Sequence, residues 1–461
     1  MQKTFKKHTK IIATGFALTL GGALLVGTPS LEAQETSKSA RESKLESYIK
    51  FTKILNLIES QYVDEVNTSD LINKALKGLM QNLDAHSAFM EAKDFKDLNI
   101  QTKGEFGGLG IVVGMRNGAL TVIAPIDGTP AARAGVKAGD IILKIDDKAT
   151  LGMSIDEAVS LMRGKPKTPI TLTLVRKGSP KPIKVKIIRD IIKIHSVKAK
   201  TIKLGKNEEI LYLKISSFDA HVVDEVKKAL EKHPHAKGII LDLRNNPGGL
   251  LDQAVGLLDL FVSKGVLVSQ KGRIKEENQV YRAHAKGTHS KIPIVVLVNG
   301  GSASASEIVS GALQDTRRAV VIGEKTFGKG SVQIVVPVGK EEGVKLTVAR
   351  YYLPSGRTIQ NKGVTPDILV FPGKVTLEDN DTISIKEKDL KKHLEAELEK
   401  LDQGKKKEKQ SLKASQESNA TAQAEAQKKK SLIGEGQINK DLQLKTAVDV
   451  LKALILTSER K

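Results

Sequence analysis

The sequence contains no cysteine and no tryptophan, and aromatic residues make up only 3% of its 461 positions. The lack of cysteine excludes disulfides and a lipidated amino-terminal cysteine. Proteins that bind single-stranded nucleic acid stack bases on aromatic side chains along a basic groove. The net charge here is +21, but the lysines are spread along the chain and concentrated towards its end, with no aromatic residues among them. We therefore expect no nucleic acid as a partner.

A long uninterrupted hydrophobic run is also missing at the amino terminus. Four lysines between Lys3 and Lys10 precede an apolar run over Ile11–Gly27, which glycines interrupt, and Ala33 ends a plausible cleavage site. This order is typical of a secretory signal peptide, and the run is short for a spanning helix. The sequence predicts a signal peptide over residues 1–33, with an uncleaved anchor as the alternative. Either way the protein is expected to be exported, periplasmic or membrane-associated facing the periplasm.

The rest of the chain divides into four parts by composition and periodicity. Residues 34–103 show apolar side chains at helical spacing, which predicts helix from residue 42 to about 100 and a packing or dimerising arm, hence a homo-oligomer. In this part, His86 is interpreted as a turn or capping residue. Residues 104–192 carry short β-rich runs separated by glycine and aspartate turns. Residues 193–375 alternate strands with helices, which favours an α/β core with a partly parallel sheet. Residues 376–461 form a Lys-rich tail whose end, Leu442–Leu454, is amphipathic and able to dock on the body.

Two segments of the α/β part carry chemistry. Asn299-Gly-Gly-Ser-Ala-Ser-Ala-Ser-Glu307 places serines at the start of a helix, and Lys329 lies between two glycines. A serine hydroxyl becomes a good nucleophile when a neighbouring base takes its proton. Lysine is such a base only when neutral, and its ordinary pKa is about 10.4. The lysine amine therefore needs apolar surroundings, and Phe327 and Val332 are predicted to supply them.

Backbone N–H groups near these segments could stabilise an oxyanion. The strand ending at Leu243 leads into the turn Arg244-Asn-Asn-Pro-Gly-Gly249, and Ala305 lies at the positive end of the following helix. Gln333, four residues after Lys329, could orient the lysine amine.

Three other interpretations remain open from these residues alone. Ser304 and Glu307 match a helix capping box. The segment Gly323–Lys329 nearly matches a phosphate-binding loop, but Gly330 replaces the magnesium-binding serine or threonine. A Ser-His-Asp site is the third, although no Gly-x-Ser-x-Gly motif is present.

The β-rich part contains a glycine turn that leads into a strand, Phe106-Gly-Gly-Leu-Gly-Ile111. Such a turn can present N–H groups to a carboxylate, and the next strand edge can add a peptide as an extra strand. The turn contributes Gly110, and an apolar terminal side chain would have a pocket made by Leu109, Ile111, Val113, Val159 and Met162. A tight turn without a ligand is the alternative.

Together these segments resemble the carboxyl-terminal processing proteases, the tail-specific serine peptidases with an embedded PDZ domain. The similarity covers about Leu45 to Gly373 and rests on five motifs in order. They are Phe106–Ile111, Asp242–Gly249, Asn299–Glu307, Phe327–Gln333 and Ala349–Arg357.

The resemblance implies an α/β crotonase-like protease core, an inserted PDZ domain and a helical amino-terminal arm. It also implies Ser304 as nucleophile, Lys329 as base and Gln333 as third member. Gly248, or else Gly249, would form the oxyanion hole with Ala305. Arg163, at the end of the PDZ helix, matches a position that gates activity.

The resulting hypothesis is an endopeptidase that cleaves proteins near non-polar C-termini through an acyl-enzyme, with no metal and no cofactor. An adaptor protein is a further candidate partner. A non-catalytic PDZ scaffold that binds C-termini is the first alternative, and a basic surface that binds nucleic acid or an envelope polymer is the second. The second predicts affinity that collapses with salt.

Overall fold

The computed structural model describes residues 31–205, 208–339, 341–375 and 431–459, with the backbone only for residues 31–41. Of the predicted signal peptide, only residues 31–33 fall within this range. The chain divides into two units, residues 1–79 and 80–461, each described by itself. None of the helices in the described ranges has the length and apolar character needed to span a bilayer.

The first unit consists of two helices, α1 (Leu31–Gln61) and α2 (Thr68–Gln81), the second of which runs two residues into the next unit. The apolar side chains that predict α1 are exposed within this single chain. They include Leu45, Tyr48, Ile49, Phe51, Ile54 and Leu57.

The helical prediction fails between residues 62 and 67, where α1 has ended and α2 has not begun, and again between residues 82 and 91. Asp84 accepts hydrogen bonds from the N–H groups of His86 and Ser87 at 2.7 and 2.8 Å, which makes a turn in place of a helix. A short strand, β1 (Ala88–Met90), follows and pairs with residues 343–345, after which helix resumes as α3 (Ala92–Lys103).

The β-rich part is a sheet bracketed by a strand pair. Strands β2 (Glu105–Gly108) and β9 (Asp190–Lys193) are antiparallel and enclose the rest. The sheet order is β3-β4-β5-β7-β8, with β6 on β5, so β3 lies at an edge. The elements are β3 (Ile111–Arg116), β4 (Ala119–Pro125), α4 (Pro130–Arg133), β5 (Ile141–Ile145), β6 (Lys148–Ala149), α5 (Ile155–Met162), β7 (Pro169–Val175) and β8 (Ile183–Ile188).

The α/β part is built on a six-stranded sheet of order β10-β11-β12-β15-β16-β19, parallel from β11 onward. Its elements are β10 (Val197–Lys203), β11 (Glu209–Ile215), α6 (Val222–Lys232), β12 (Ala236–Asp242), α7 (Leu251–Asp259), β15 (Ile294–Val298), α8 (Ala305–Asp315), β16 (Val320–Gly323) and β19 (Ile368–Leu369). Side chains alternate along each strand, so the sheet buries both faces. One face packs against α6, α7 and α8.

A second, antiparallel sheet lies beside the first. Its members are β13 (Val266–Gly272), β14 (Gln279–Arg282), β17 (Ser331–Val338) and β18 (Glu342–Tyr352), together with β1. A 3₁₀ turn covers Lys275–Glu277. The long strand β18 pairs with β1, which follows α2, and with β17, which follows the loop that carries Lys329. This loop, residues 324–330, is called the lysine loop below.

The amphipathic end of the chain docks on the main sheet, as its pattern indicates. Helices α9 (Glu435–Ile438) and α10 (Leu442–Glu459) cover the sheet face opposite α6–α8, and Leu451 is fully buried there. A Cβ at Gly238 would come within 2.9 Å of Leu451, which shows how closely the helix and β12 approach. Arg244 donates to Asp441 at 2.9 Å and to Gln443 at 3.0 Å, so this end is also tied to the turn after β12.

Candidate active site

The turn that carries the predicted nucleophile joins the buried strand β15 to the buried helix α8. Ser304 precedes the first residue of α8 with φ 54° and ψ −111°, and is 8% exposed. A non-glycine residue in such a region costs roughly 1–3 kcal/mol, so its surroundings must hold it there. The Ser302 hydroxyl donates to the Leu243 carbonyl at 2.8 Å, and the Ala303 N–H donates to the Asn246 carbonyl at 3.0 Å. These bonds fix the turn against the end of β12.

A single buried carboxylate connects this turn to the lysine loop. Glu307 is fully buried, and its Oε2 accepts the N–H of Ser304 at 2.9 Å and the N–H of Lys329 at 2.8 Å. Its Oε1 accepts the Gly328 N–H and the Thr326 hydroxyl, each at 2.6 Å. Burial raises the pKa of Glu307, and these four donors oppose that rise. The predicted capping contact of Glu307 is therefore present, and the same carboxylate places Ser304 and Lys329 side by side.

Lys329 is held in an environment that favours the neutral amine. Burial lowers the pKa of Lys329 below its ordinary value, and the Lys345 ammonium lowers it further, while the carboxylates of Asp84 and Glu307 partly offset this. Within the described residues the Lys329 Nζ makes no hydrogen bond and no ion pair. A neutral lysine is the form that can take a proton.

The predicted apolar cover of Lys329 concerns two residues, Val332 and Phe327, and stays a prediction. Val332 is buried at 7% exposure, but Phe327 is 64% exposed. The backbone of Phe327 donates to the Ser302 carbonyl at 3.1 Å, which leaves its ring at the surface.

Two of the predicted oxyanion groups lie against Ser304. Gly248 has φ 103°, and a Cβ added there would lie 2.9 Å from the Ser304 Cβ and 3.0 Å from the Ala305 nitrogen, so only glycine fits. The Gly248 N–H donates to the Asn246 Oδ1 at 2.9 Å. The N–H groups of Ala305 and Gly249 donate no hydrogen bond to the described part of the chain. The choice between Gly248 and Gly249 stays a prediction.

Gln333 lies on β17 and is paired across the sheet with Thr347 on β18. Its Nε2 donates to the Ser331 hydroxyl at 2.8 Å and to the Thr347 hydroxyl at 3.3 Å. Gln333 thus lies on the strand that follows the loop of Lys329, and no hydrogen bond joins the two side chains.

The predicted peptide groove lies between β3 and α5. Leu109 and Met162 are buried in the core of this sheet, and Ile111 and Val113 pack against that core from β3. Gly110 has φ 74°, and a Cβ there would overlap Thr129 at 2.3 Å. The outer edge of β3 has no partner strand among the described residues, and neither Leu109 nor Gly110 donates its N–H within them. An edge strand beside free N–H groups is the arrangement that strand addition needs.

Arg163, the residue after α5, connects this groove to another element. Its guanidinium pairs with Asp97 on α3 at 2.8 Å and lies 5.0 Å above the Phe106 ring. Its buried Nε has no hydrogen-bond partner among the residues that the structure describes. Arg163 therefore links the end of the PDZ helix to α3 and makes no contact with Ser304 or Lys329.

Comparison with known proteins identifies the architecture. The model of peptidase family S41 matches residues 209–370, that of a PDZ domain matches 121–176, and that of the amino-terminal domain of the activating protease CtpB matches 13–94. The chain is 44% identical over 391 residues to a carboxy-terminal-processing protease of Bartonella bacilliformis, covering 82% of this chain and 88% of that protein. The chain belongs to peptidase family S41.

Other similar proteins carry related names. The carboxy-terminal processing protease CtpA of Bacillus subtilis is 36% identical over 363 residues, with 78% of this chain and 75% of the relative covered. A solved photosystem II D1 C-terminal processing protease is 29% identical, with 70% of this chain and 92% of that chain covered and a TM-score of 0.40. The S41 chain described here is a serine-type endopeptidase of the carboxy-terminal processing group, with a PDZ domain and a CtpB-like amino-terminal domain.

Sequence reasoning missed three contributors to the S41 site. Glu307 was interpreted only as a capping partner, and Thr326, three residues before Lys329, was not considered. His86 was interpreted as a turn or capping residue, but Asp84 in the same turn was not considered, and its carboxylate acts on Lys329. For Glu307, the signal available in the sequence was an acidic residue in the first turn of a helix, just before the apolar pair Ile308 and Val309. For the others, the sequence offers none because their contacts are long-range.

Proposed function

We propose that this S41 protease cleaves polypeptides with a Ser304–Lys329 dyad, with Gln333 as the third member. Ser304 is the nucleophile and neutral Lys329 the general base. The observation that carries the proposal is the Glu307 Oε2, which accepts the N–H groups of both residues at 2.9 and 2.8 Å. The lowered pKa of Lys329 supports the role of base.

The reaction follows from this arrangement. The Ser304 oxygen attacks the scissile carbonyl carbon while its proton passes to the Lys329 Nζ. The N–H of Ala305, with that of Gly248 or Gly249, donates to the developing oxyanion. The lysine ammonium then protonates the leaving amine, which departs and leaves an acyl-enzyme. Water, deprotonated by the regenerated amine, hydrolyses the acyl-enzyme and frees Ser304.

The oxyanion step requires one rearrangement if Gly248 is the donor. Its N–H now donates to the Asn246 side chain, so binding of the oxyanion requires that this hydrogen bond be exchanged or shared. The Gly249 N–H is free of that competition. Both routes leave Ala305 as the common donor.

The PDZ domain would receive the substrate's non-polar C-terminus and gate the active site. The free edge of β3, the turn at Gly110 and the apolar residues Leu109, Ile111, Val113 and Met162 support peptide binding. Arg163 supports gating, because it joins the end of the PDZ helix to α3 through Asp97. Protein or peptide C-termini are thus the proposed substrates.

Three further assignments complete the proposal. The amino-terminal sequence supports export to the periplasm or attachment to its membrane. The exposed apolar residues of α1 support a homo-oligomer, and an adaptor protein remains a candidate partner. The parallel sheet with α6–α8 on one face supports the crotonase-like description of the core.

The test uses an unfolded protein substrate with an apolar C-terminal residue. Ser304→Ala and Lys329→Ala should each reduce kcat/KM by at least about a thousandfold, because each removes one member of a cooperative pair. Fragments are measured by mass spectrometry. Ser310→Ala is the matched control, since that hydroxyl donates only to backbone carbonyls inside α8, those of Ser306 at 2.8 Å and Glu307 at 3.5 Å. Retention of full activity in Lys329→Ala would contradict the dyad.

A further inference from the structure

A chain of hydrogen bonds leads from the turn before β1 to Gln333. The carboxylate of Asp84 accepts the Ser87 hydroxyl at 2.6 Å and the Thr347 hydroxyl at 3.2 Å, in addition to the two N–H groups of its own turn. The Thr347 N–H in turn donates to the Ser87 hydroxyl at 3.1 Å. The Thr347 hydroxyl accepts from the Gln333 Nε2 at 3.3 Å. No step of the proposed reaction uses Asp84, Ser87 or Thr347.

The charge of Asp84 fixes the direction of every bond in this chain. Burial raises the pKa of Asp84, but the Ser87, His86 and Thr347 donors outweigh it and lower the pKa to about 2. An ionised carboxylate only accepts hydrogen bonds, so the single hydroxyl proton of Thr347 must point towards Asp84. The Thr347 oxygen is then left to accept. It can therefore face only the NH₂ end of the Gln333 amide.

This constraint orients the Gln333 amide. Both hydrogens of its Nε2 are used, one for Thr347 and one for the Ser331 hydroxyl at 2.8 Å. The Oε1 atom remains as an acceptor without a hydrogen bond in the described part of the chain. An amide free to rotate would present its two ends equally well. Here Thr347 and Ser331 both accept from the NH₂ end of the Gln333 amide, which fixes its orientation.

The orientation matters because of what surrounds Lys329. The charged or titratable groups that act on it are Lys345 on β18, Asp84 and His86 in the turn before β1, and Glu307 on α8. These groups set the charge of the amine, but none of them accepts a hydrogen bond from its Nζ. The Gln333 Oε1 is a neutral acceptor four residues along the chain.

We propose that Asp84 and Thr347 are positioning residues for the lysine base, which hold the Gln333 amide with its oxygen available to the Lys329 amine. The proposal rests on the Ser304–Lys329 mechanism above. An N–H of the neutral amine donates to the Gln333 Oε1, which turns the nitrogen lone pair towards the Ser304 hydroxyl. Neither Asp84 nor Thr347 touches the reacting atoms.

Thr347→Val tests this step, because it keeps the shape of the side chain and removes the hydroxyl. The Gln333 amide can then turn its NH₂ towards Lys329, so kcat should fall about tenfold while KM stays within about twofold. Loss of an acceptor destabilises the ammonium form. The acid limb of the kcat–pH profile should therefore move to lower pH. Thr347→Ser keeps the hydroxyl and should restore both properties.

Asp84→Asn tests the direction of the bonds separately. The amide introduced by this substitution can donate to the Thr347 hydroxyl, which could then donate to the Gln333 Oε1 and reverse the chain. Asp84→Asn should lower kcat as Thr347→Val does, and it should move the acid limb further to lower pH, because it also removes a carboxylate that raises the pKa of Lys329. In kcat the double variant should be no worse than Thr347→Val alone, since both changes break one chain. Thermal unfolding of each variant shows whether the fold is kept.

The outcomes separate this inference from the mechanism it rests on. If Lys329→Ala cleaves normally, the dyad itself is wrong. If Lys329→Ala is inactive while a folded Thr347→Val has the wild-type kcat and acid limb, the dyad stands and the positioning role of Thr347 and Asp84 is overturned. A fall in kcat with an unmoved acid limb, not restored by Thr347→Ser, would also overturn it.

Discussion

At the scale of single residues, the carboxylate of Glu307 holds together the two segments of the candidate site. Ser304 occupies a backbone conformation that is unfavourable in isolation, and Glu307 is the group that accepts its N–H. The same carboxylate accepts two N–H groups of the lysine loop. The geometry of both residues of the proposed dyad therefore depends on a side chain to which the proposed mechanism gives no proton transfer.

Replacement of this carboxylate should separate structure from chemistry. Glu307→Gln keeps the size of the side chain but replaces one acceptor oxygen with an NH₂ donor, so two of the four hydrogen bonds are lost. We expect kcat to fall by about a hundredfold with a smaller change in KM. Steady-state kinetics measure the effect. Glu341→Gln, at an exposed carboxylate, is the control and should be indistinguishable from wild type.

The pH dependence should report Lys329 directly. Activity requires the neutral amine, so it rises with pH through the lysine pKa, which lies below its ordinary value because of burial and the Lys345 ammonium. Lys345→Met removes a positive charge and should raise that pKa, which moves the acid limb of the kcat profile to higher pH. Lys345→Arg keeps the charge and should leave the limb in place. A limb that stays fixed in Lys345→Met would exclude the lysine as the group observed.

At the scale of elements, segments with a local apolar pattern were predictable, and a segment that exists only through long-range pairing was not. The limits of α6, β5, β8 and β15 follow from the sequence, because apolar period and turn residues define each one locally. Strand β1 has three residues and exists through pairing with β18, far away along the chain, so no local pattern predicts it. The choice of Ser304 and Lys329 rests on motifs and stays a prediction. The shared contact with Glu307 was not predictable, because Thr326, Gly328 and Lys329 are far from Glu307 in the sequence. Only the folded chain brings them to its carboxylate.

The glycine turn before β3 gives a test of the PDZ element. Gly110→Ala places a Cβ at φ 74° and into Thr129, which strains the turn by about 1–2 kcal/mol or displaces it. Binding of a peptide with a non-polar C-terminus should weaken at least about tenfold by calorimetry. Gly118→Ala is the matched control, with a similar φ but open space around it. Equal affinity in both variants would argue against this turn as the carboxylate site.

At the scale of the whole molecule, the main sheet requires the end of the chain to cover its second face. Leu451→Ala removes a fully buried side chain from α10 and should lower the free energy of unfolding by about 2–5 kcal/mol. Denaturant unfolding followed by circular dichroism measures it. Leu456→Ala, on the same helix but 58% exposed, should change it by less than about 0.5 kcal/mol. Similar losses in both variants would contradict a specific contribution from the burial of Leu451.

The position of α10 so late in the chain also sets an order in time. A ribosome synthesises a protein from the amino terminus towards the carboxyl terminus, so Ser304 and Lys329 leave the ribosome well before Leu442 does. Until then the sheet face that α10 covers stays open to water, and Arg244, which leads the oxyanion turn, has no Asp441 to bind. A chain that lacks α10 thus contains Ser304 and Lys329 but not the hydrogen bonds from Arg244 to Asp441 and Gln443. We therefore expect the turn after β12 and the loop of Lys329 to reach the arrangement described above only once α10 has been synthesised and has packed on the sheet.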